Sequence, residues 1–191
     1  MRLIGGEFRG RRLAVPDGRT TRPTSDRARE AIFNVLEHAD WAPPLAGARV
    51  LDVFAGSGAL GFEAMSRGAA FCLFVETDEG ARGAIRDNVE NLGLFGTTRV
   101  HRRDATQLGA RPGGEGEAYQ LAFLDPPYGK GLEHKALDCL ASGNWLSKDA
   151  LVVLERSAED DDFATDVWDK INTKTYGAAQ FFFMKQKIFI S

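Results

Sequence analysis

The sequence predicts an α/β protein. Its core is a Rossmann-like, doubly wound, mostly parallel seven-stranded sheet with an antiparallel C-terminal strand, preceded by an N-terminal hairpin-plus-helix extension. Three observations predict this. From about residue 48 short apolar runs alternate with helical patterns. A glycine-bearing turn follows the first apolar run. The chain closes with two β-rich runs that meet at Gly177.

The elements follow in chain order. Residues 2–15 carry glycines between apolar positions and read as a hairpin. Ser25 to about Glu37 reads as a helix, because Ala28, Ala31, Ile32, Val35 and Leu36 recur at i, i+3, i+4, i+7 and i+8. Thr24 or Ser25 can cap it. Pro43-Pro44 then divides an extension, residues 1–44, from the α/β domain, residues 45–191. Within the domain strands are expected near 49–54, 71–76, 98–102, 120–125 and 149–154, with helices near 59–67, 79–92 and 132–142 between them. The runs Val167 to Tyr176 and Gln180 to Ile190 should form a closing antiparallel hairpin.

With 191 residues, 43% apolar and 27% charged, the chain falls in the range of one ordinary globular domain with an extension. It has no run approaching the roughly 18 apolar residues that span a bilayer, and Met1 to Gly6 lack a signal peptide's apolar core, so a cytoplasmic protein is expected. Cys72 and Cys139 can build neither a disulfide framework nor a zinc site and read as buried thiols; no metal is expected. His38, His101 and His134 share no motif. Net charge is −3, yet residues 1–30 hold eight arginines against four acids, +4 for the arm and −7 for the rest. Such asymmetry points to an anionic partner docking at the basic end, with Arg9, Arg11, Arg12 and Arg22 as candidate phosphate contacts.

Gly56, Gly58 and Gly61 form a G-x-G-x-x-G in the turn that also carries Phe54 and Ser57. Such a turn lets backbone approach a nucleotide-like ligand closely. Fifteen residues after Gly61, Glu76 ends the second apolar run, where a carboxylate can accept from both ribose hydroxyls. Together they predict an adenosine-containing ligand. Asp52 at the mouth of the turn would repel a pyrophosphate, as in NAD, but suits the ammonium and sulfonium of S-adenosylmethionine. Asp52 can also simply cap loop amides. Asp104 and Ala105 follow the third strand, offering a carboxylate and an amide to an adenine, although Asp is equally a helix cap.

The most specific signal is Asp125-Pro126-Pro127-Tyr128 after the apolar run Leu121 to Leu124. Neither proline donates a backbone hydrogen bond, so the strand must end there in a stiff corner. The Asp125 carboxylate and the Pro126 carbonyl are then two acceptors for one NH₂ group, and Tyr128 is a flat face for a base.

With these residues the sequence resembles the class I S-adenosylmethionine-dependent methyltransferases that act on amino groups. Gly5 to Arg11 and Arg22 to Asn34 add a closer resemblance to the bacterial 16S ribosomal RNA guanine-N2 methyltransferases, extending to about residue 156. The resemblance implies methyl transfer to a guanine N2 in rRNA, within an assembled small subunit. It assigns Gly56 and Gly58 to the cofactor loop, Glu76 to the ribose, Asp104 to the adenine side and Asp125 to Tyr128 to catalysis. The acidic segment Ser157 to Asp169 is expected away from the substrate. The residues alone leave open a DNA adenine-N6 or cytosine-N4 methylase, an NAD-dependent oxidoreductase and a non-catalytic ribosome-assembly binder.

Overall fold

The computed structural model describes residues 1–18, 24–113 and 116–188; the candidate phosphate contact Arg22 lies outside the described residues. Among the described residues seven strands form one sheet in the order β3-β2-β1-β4-β5-β7-β6. These are β1 (Arg49–Val53), β2 (Phe71–Val75), β3 (Thr98–His101), β4 (Tyr119–Leu124), β5 (Leu146–Ser157), β6 (Trp168–Tyr176) and β7 (Ala179–Gln186). Strands β1 to β5 pair in parallel, and only β7 runs against its neighbours β5 and β6. The fold class is the one expected.

Side chains alternate strictly between the two faces. Val50, Phe74, Phe123 and Val153 belong to one core cluster, and Leu51, Leu73, Leu124 and Leu154 to the other. The first layer is covered by α1 (Asp26–His38), α2 (Ala59–Ser66) and α3 (Glu79–Leu92), together with Leu3 and Leu13 of the arm. The second is covered by α4 (Leu132–Ser142) and a short 3-10 turn, Ala105–Gln107, which the sequence reading had not separated from its loop. A sheet buried on both faces needs near-continuous apolar strands, as seen here.

Ser25 caps α1 by accepting from Ala28 N, and Asp78 caps α3 by accepting from Ala81 N. The hairpin closes through Leu3 N to Arg11 O (2.9 Å) and Leu13 N to Met1 O (3.1 Å), with a single bridge between Arg2 and Arg12. Buried Glu63 of α2 accepts from Ile4 N and Gly5 N, and Asn88 of α3 bonds both the amide and the carbonyl of Ala14. Arg29, fully buried on α1, donates to the Arg2 carbonyl and pairs with Asp26 at 2.8 Å, which leaves it structural. Strand β5 is longer than the expected 149–154, because Leu146 already pairs with Tyr119 while Glu155 to Ser157 pair with β7. Among the described residues no helix is long and apolar enough to cross a membrane.

Candidate active site

The strand order reverses between β1 and β4, and at the carboxyl ends of such strands an open α/β sheet leaves a crevice. A cavity of about 1030 Å³ lies there. Its wall includes Asp52, Phe54, Gly56 and Ser57 after β1, Glu76 after β2, Asp104 and Ala105 after β3, and Asp125 to Tyr128 after β4. The size suits a nucleoside-sized ligand.

The turn after β1 works through backbone geometry. Phe54 is held at φ +59°, a left-handed conformation that costs a non-glycine residue energy and is found at functional loops. Gly58 stands behind the wall rather than in it. It caps α2 at φ +79°, and a Cβ there would lie 2.8 Å from Phe62 and 2.9 Å from Phe74. Gly56 donates its amide to Glu76 Oε2 at 2.8 Å, while Glu76 Oε1 accepts from Asp78 N at 2.9 Å. Both oxygens of Glu76 are thereby aimed by backbone. Arg82 of α3 steadies the same loop by donating to the carbonyls of Glu76 and Thr77.

The cavity floor is acidic through Asp52 and Asp125, while Glu155 stands beside Asp125 outside the cavity wall. Asp52 shares the face of Val50, Asp125 that of Phe123, and Glu155 that of Val153, so three adjacent strands put three carboxyl groups on one face. Asp52 is 2% exposed and accepts from Gly61 N at 2.9 Å, so it does cap a loop amide as well as face the cavity. Burial pushes its carboxyl up to about 8, opposed by the Gly61 bond and assisted by Glu76. Burial, then Glu155, then Asp52 hold Asp125 well above the usual carboxylate range. Among the described residues no lysine or arginine pairs with Asp52, Asp125 or Glu155. An unpaired acidic floor fits a cationic ligand such as S-adenosylmethionine and opposes a pyrophosphate. Asp104 differs: it is exposed, caps the 3-10 turn through Thr106 N and Oγ1, and those bonds hold its carboxyl below the usual range.

The corner after β4 has the expected form. Asp125 N closes the last rung to Val53 O at 3.4 Å, and the two prolines then end pairing. Pro126 is buried, Pro127 exposed, and among the described residues the Pro126 carbonyl accepts no hydrogen bond. The Tyr128 residue is 48% exposed, yet its hydroxyl turns inward to Glu155 Oε1 at 2.9 Å. Burial, then Glu155, hold that phenol above its ordinary range.

Sequence reasoning missed Glu155, Arg82 and the cavity contributions of Met1, Val15, Pro16 and Thr24 from the arm. It also placed the acidic segment away from the substrate, whereas Ser157 and Glu159 line the cavity. Strand β5 runs on to Ser157, so the chain turns at the same edge of the sheet as Asp125. Arg9, Arg11 and Arg12 are exposed on the hairpin and are not part of the cavity wall; Arg11 also donates to Asn91 O at 2.6 Å. Among the described residues no group of three His, Cys, Asp or Glu side chains is placed to hold a metal ion.

A parallel sheet closed by one reversed strand, with its ligand crevice at the β1/β4 switch, defines a class I S-adenosylmethionine-dependent methyltransferase. More particularly, the chain belongs to the family described as conserved hypothetical protein 95, which it matches over residues 1–185. It is 40% identical over 159 residues to the ribosomal RNA small subunit methyltransferase D of Escherichia coli strain K12, covering 83% of this chain and 76% of that one. The protein of the same name from Haemophilus influenzae is 32% identical over 182 residues, covering 95% and 91%. A solved Escherichia coli structure, yhhF, has 34% identity and a TM-score of 0.81 over 98% of each chain.

Proposed function

We propose that the protein transfers the methyl group of S-adenosylmethionine to the exocyclic N2 of a guanine in 16S ribosomal RNA. It acts in the cytoplasm, on RNA held in a small subunit or an assembly intermediate. The observation that carries this reading is the Asp125-Pro126-Pro127-Tyr128 corner, which opens two hydrogen-bond acceptors and a half-exposed ring onto a cavity with an acidic floor. The relatives named ribosomal RNA small subunit methyltransferase D support the substrate.

When bound, S-adenosylmethionine supplies a methyl group made electrophilic by a sulfonium. The chain's residues do the rest. Glu76 accepts from the ribose, Asp104 and the Ala105 amide face the adenine, and Asp52 lies toward the cationic end. Gly56 and Ser57, with Phe54, shape the wall against which the ligand lies. A guanine amino group is a poor nucleophile because its lone pair is delocalised into the ring. Accepting its two N–H bonds at Asp125 and the Pro126 carbonyl favours a pyramidal nitrogen and aims the lone pair at the methyl. Such positioning is worth up to roughly 7–11 kcal/mol of barrier. The N–C bond would form as the methyl–sulfur bond breaks, its electron pair staying on sulfur as a neutral thioether, and one N–H proton passes to the Asp125 carboxylate, which its buried setting makes a better acceptor than an ordinary aspartate. Pro127 stiffens the corner, and the Tyr128 ring stacks on a base that has left its helix. Arg9, Arg11, Arg12 and Arg22 bind RNA phosphates, the docking role of the 1–44 extension.

Mass mapping of methylated nucleosides in 16S rRNA, from cells with and without the gene, tests the reading. Loss of one N2-methylguanine is expected, and an unchanged set of modifications would exclude it. Purified small subunits and deproteinised RNA, compared as acceptors, decide the form of the substrate.

A further inference from the structure

Glu155 ends the apolar run Val152 to Leu154 and is 4% exposed, although it belongs to no motif. Leu124 pairs with Leu154, so the next residues on the two parallel strands, Asp125 and Glu155, stand side by side on one face. Its two oxygens are divided between two parts of the molecule. Oε1 accepts from the Tyr128 hydroxyl at 2.9 Å, and Oε2 accepts from Thr24 Oγ1 at 2.6 Å. Thr24 immediately precedes Ser25, the cap of α1, and itself lines the cavity. A buried carboxylate is costly unless each oxygen is satisfied, and here one donor comes from the corner after β4 and the other from the entry to α1. A strand end made only for packing would carry an apolar residue, as the preceding three positions do.

We propose that Glu155 is a positioning residue for methyl transfer, holding the Tyr128 ring from one oxygen and the entry to α1, through Thr24, from the other. It thereby joins the basic N-terminal extension to the catalytic corner, so that RNA docking on the arm and the angle of the stacking ring are set together. The inference rests on the function proposed above, but its structural half does not. The titratable groups that face Glu155 are Asp125, just after β4, and Tyr128 in the corner; Asp52 on β1 acts in turn on Asp125, and Asp160 beyond β5 acts on Tyr128.

The test has two arms. In the first, ligand-free protein labelled with ¹³C at tyrosine Cζ is titrated by NMR, with Tyr128→Phe giving the assignment. The Tyr128 resonance should follow a carboxyl ionisation in the unaltered protein and lose that step in Glu155→Gln. A step unchanged in midpoint and amplitude in Glu155→Gln, or none in the unaltered protein, overturns the proposal. In the second, single-turnover transfer is measured for Glu155→Ala, Tyr128→Phe and the double variant. The expected result is a loss on the order of tenfold or more for Glu155→Ala, with cofactor affinity changed less than about threefold, and a double variant no worse than the poorer single one. Rescue by Glu155→Gln to within about threefold is expected, since an amide can keep both contacts if Thr24 accepts. Multiplying losses in the double variant would overturn the proposal. Should the unaltered protein methylate no rRNA, the functional reading fails and the NMR arm still decides this one.

Discussion

Oδ2 of Asp52 accepts the amide of Gly61 at 2.9 Å, tying the end of strand β1 to the first turn of α2 across the glycine loop. The bond gives the carboxylate one partner where its burial calls for more, and the group is pushed up to about 8. A folded-state value above the unfolded one means that Asp52 supports the fold fully only below about pH 4, and that this support is lost as pH rises through about 8. The ligand-free protein should therefore lose stability from about pH 4 to about pH 8, by up to about 1.4 kcal/mol per pH unit for this group, with a falling thermal midpoint that levels off above about pH 8. Asp52→Asn, which keeps an acceptor for Gly61, should flatten the curve in differential scanning calorimetry. An identical slope in the variant would contradict the assignment.

The same carboxyl groups make ligand binding depend on protons. A sulfonium placed over the floor favours the ionised forms of Asp52 and Asp125, so S-adenosylmethionine should bind with proton release. Its affinity should rise with pH between about 6 and 8 more steeply than that of uncharged-sulfur S-adenosylhomocysteine. Calorimetry in buffers of different ionisation enthalpy reads the protons directly. Equal release for both ligands would remove the sulfonium from this account.

Glycines 56 and 58 should fail differently when changed to alanine. At Gly56 a Cβ meets no protein atom within 4 Å, so only the left-handed backbone resists, at about 1–2 kcal/mol. At Gly58 the same backbone penalty adds to contacts of 2.8 and 2.9 Å with Phe62 and Phe74, which overpack the layer by about 1–3 kcal/mol more. Chemical denaturation should place Gly58→Ala clearly below Gly56→Ala.

The fold was legible because strand burial on both faces and helix periodicity are local properties of the chain. Glu76 and Asp125 could be found since each follows an apolar run in a recognisable setting. Glu155 follows one too, but the acidic stretch from Glu159 to Asp162 hides it among charges that lie at or near the surface. Its partners Thr24 and Tyr128 lie 131 and 27 residues away, and no spacing rule joins them. Likewise Thr24 and Ser25 both read as possible caps of α1; Ser25 takes that place, and the Thr24 hydroxyl goes to Glu155 instead. The start of β5 was missed because polar Ser147 and Lys148 interrupt a run that pairing of Leu146 with Tyr119 of β4 holds extended.

Binding of RNA by the arm predicts a salt signature. Replacing Arg9 and Arg12, both exposed, by alanine should weaken RNA binding and lower the slope of log affinity against log salt by roughly one to two, with S-adenosylmethionine affinity unchanged. Filter binding across a salt series measures it. Arg11 is a poorer choice for this purpose, since its bond to Asn91 O also anchors the hairpin. An unaltered slope would place the phosphate contacts elsewhere.

Seating of the target amine by the Asp125 carboxylate and the Pro126 carbonyl is decided by single-turnover methyl transfer with Asp125→Ala. With cofactor affinity checked by calorimetry to be at least as tight as about a third of normal, the rate on small subunits should fall by about a thousandfold or more. A rate within about tenfold of the unaltered protein would contradict the account.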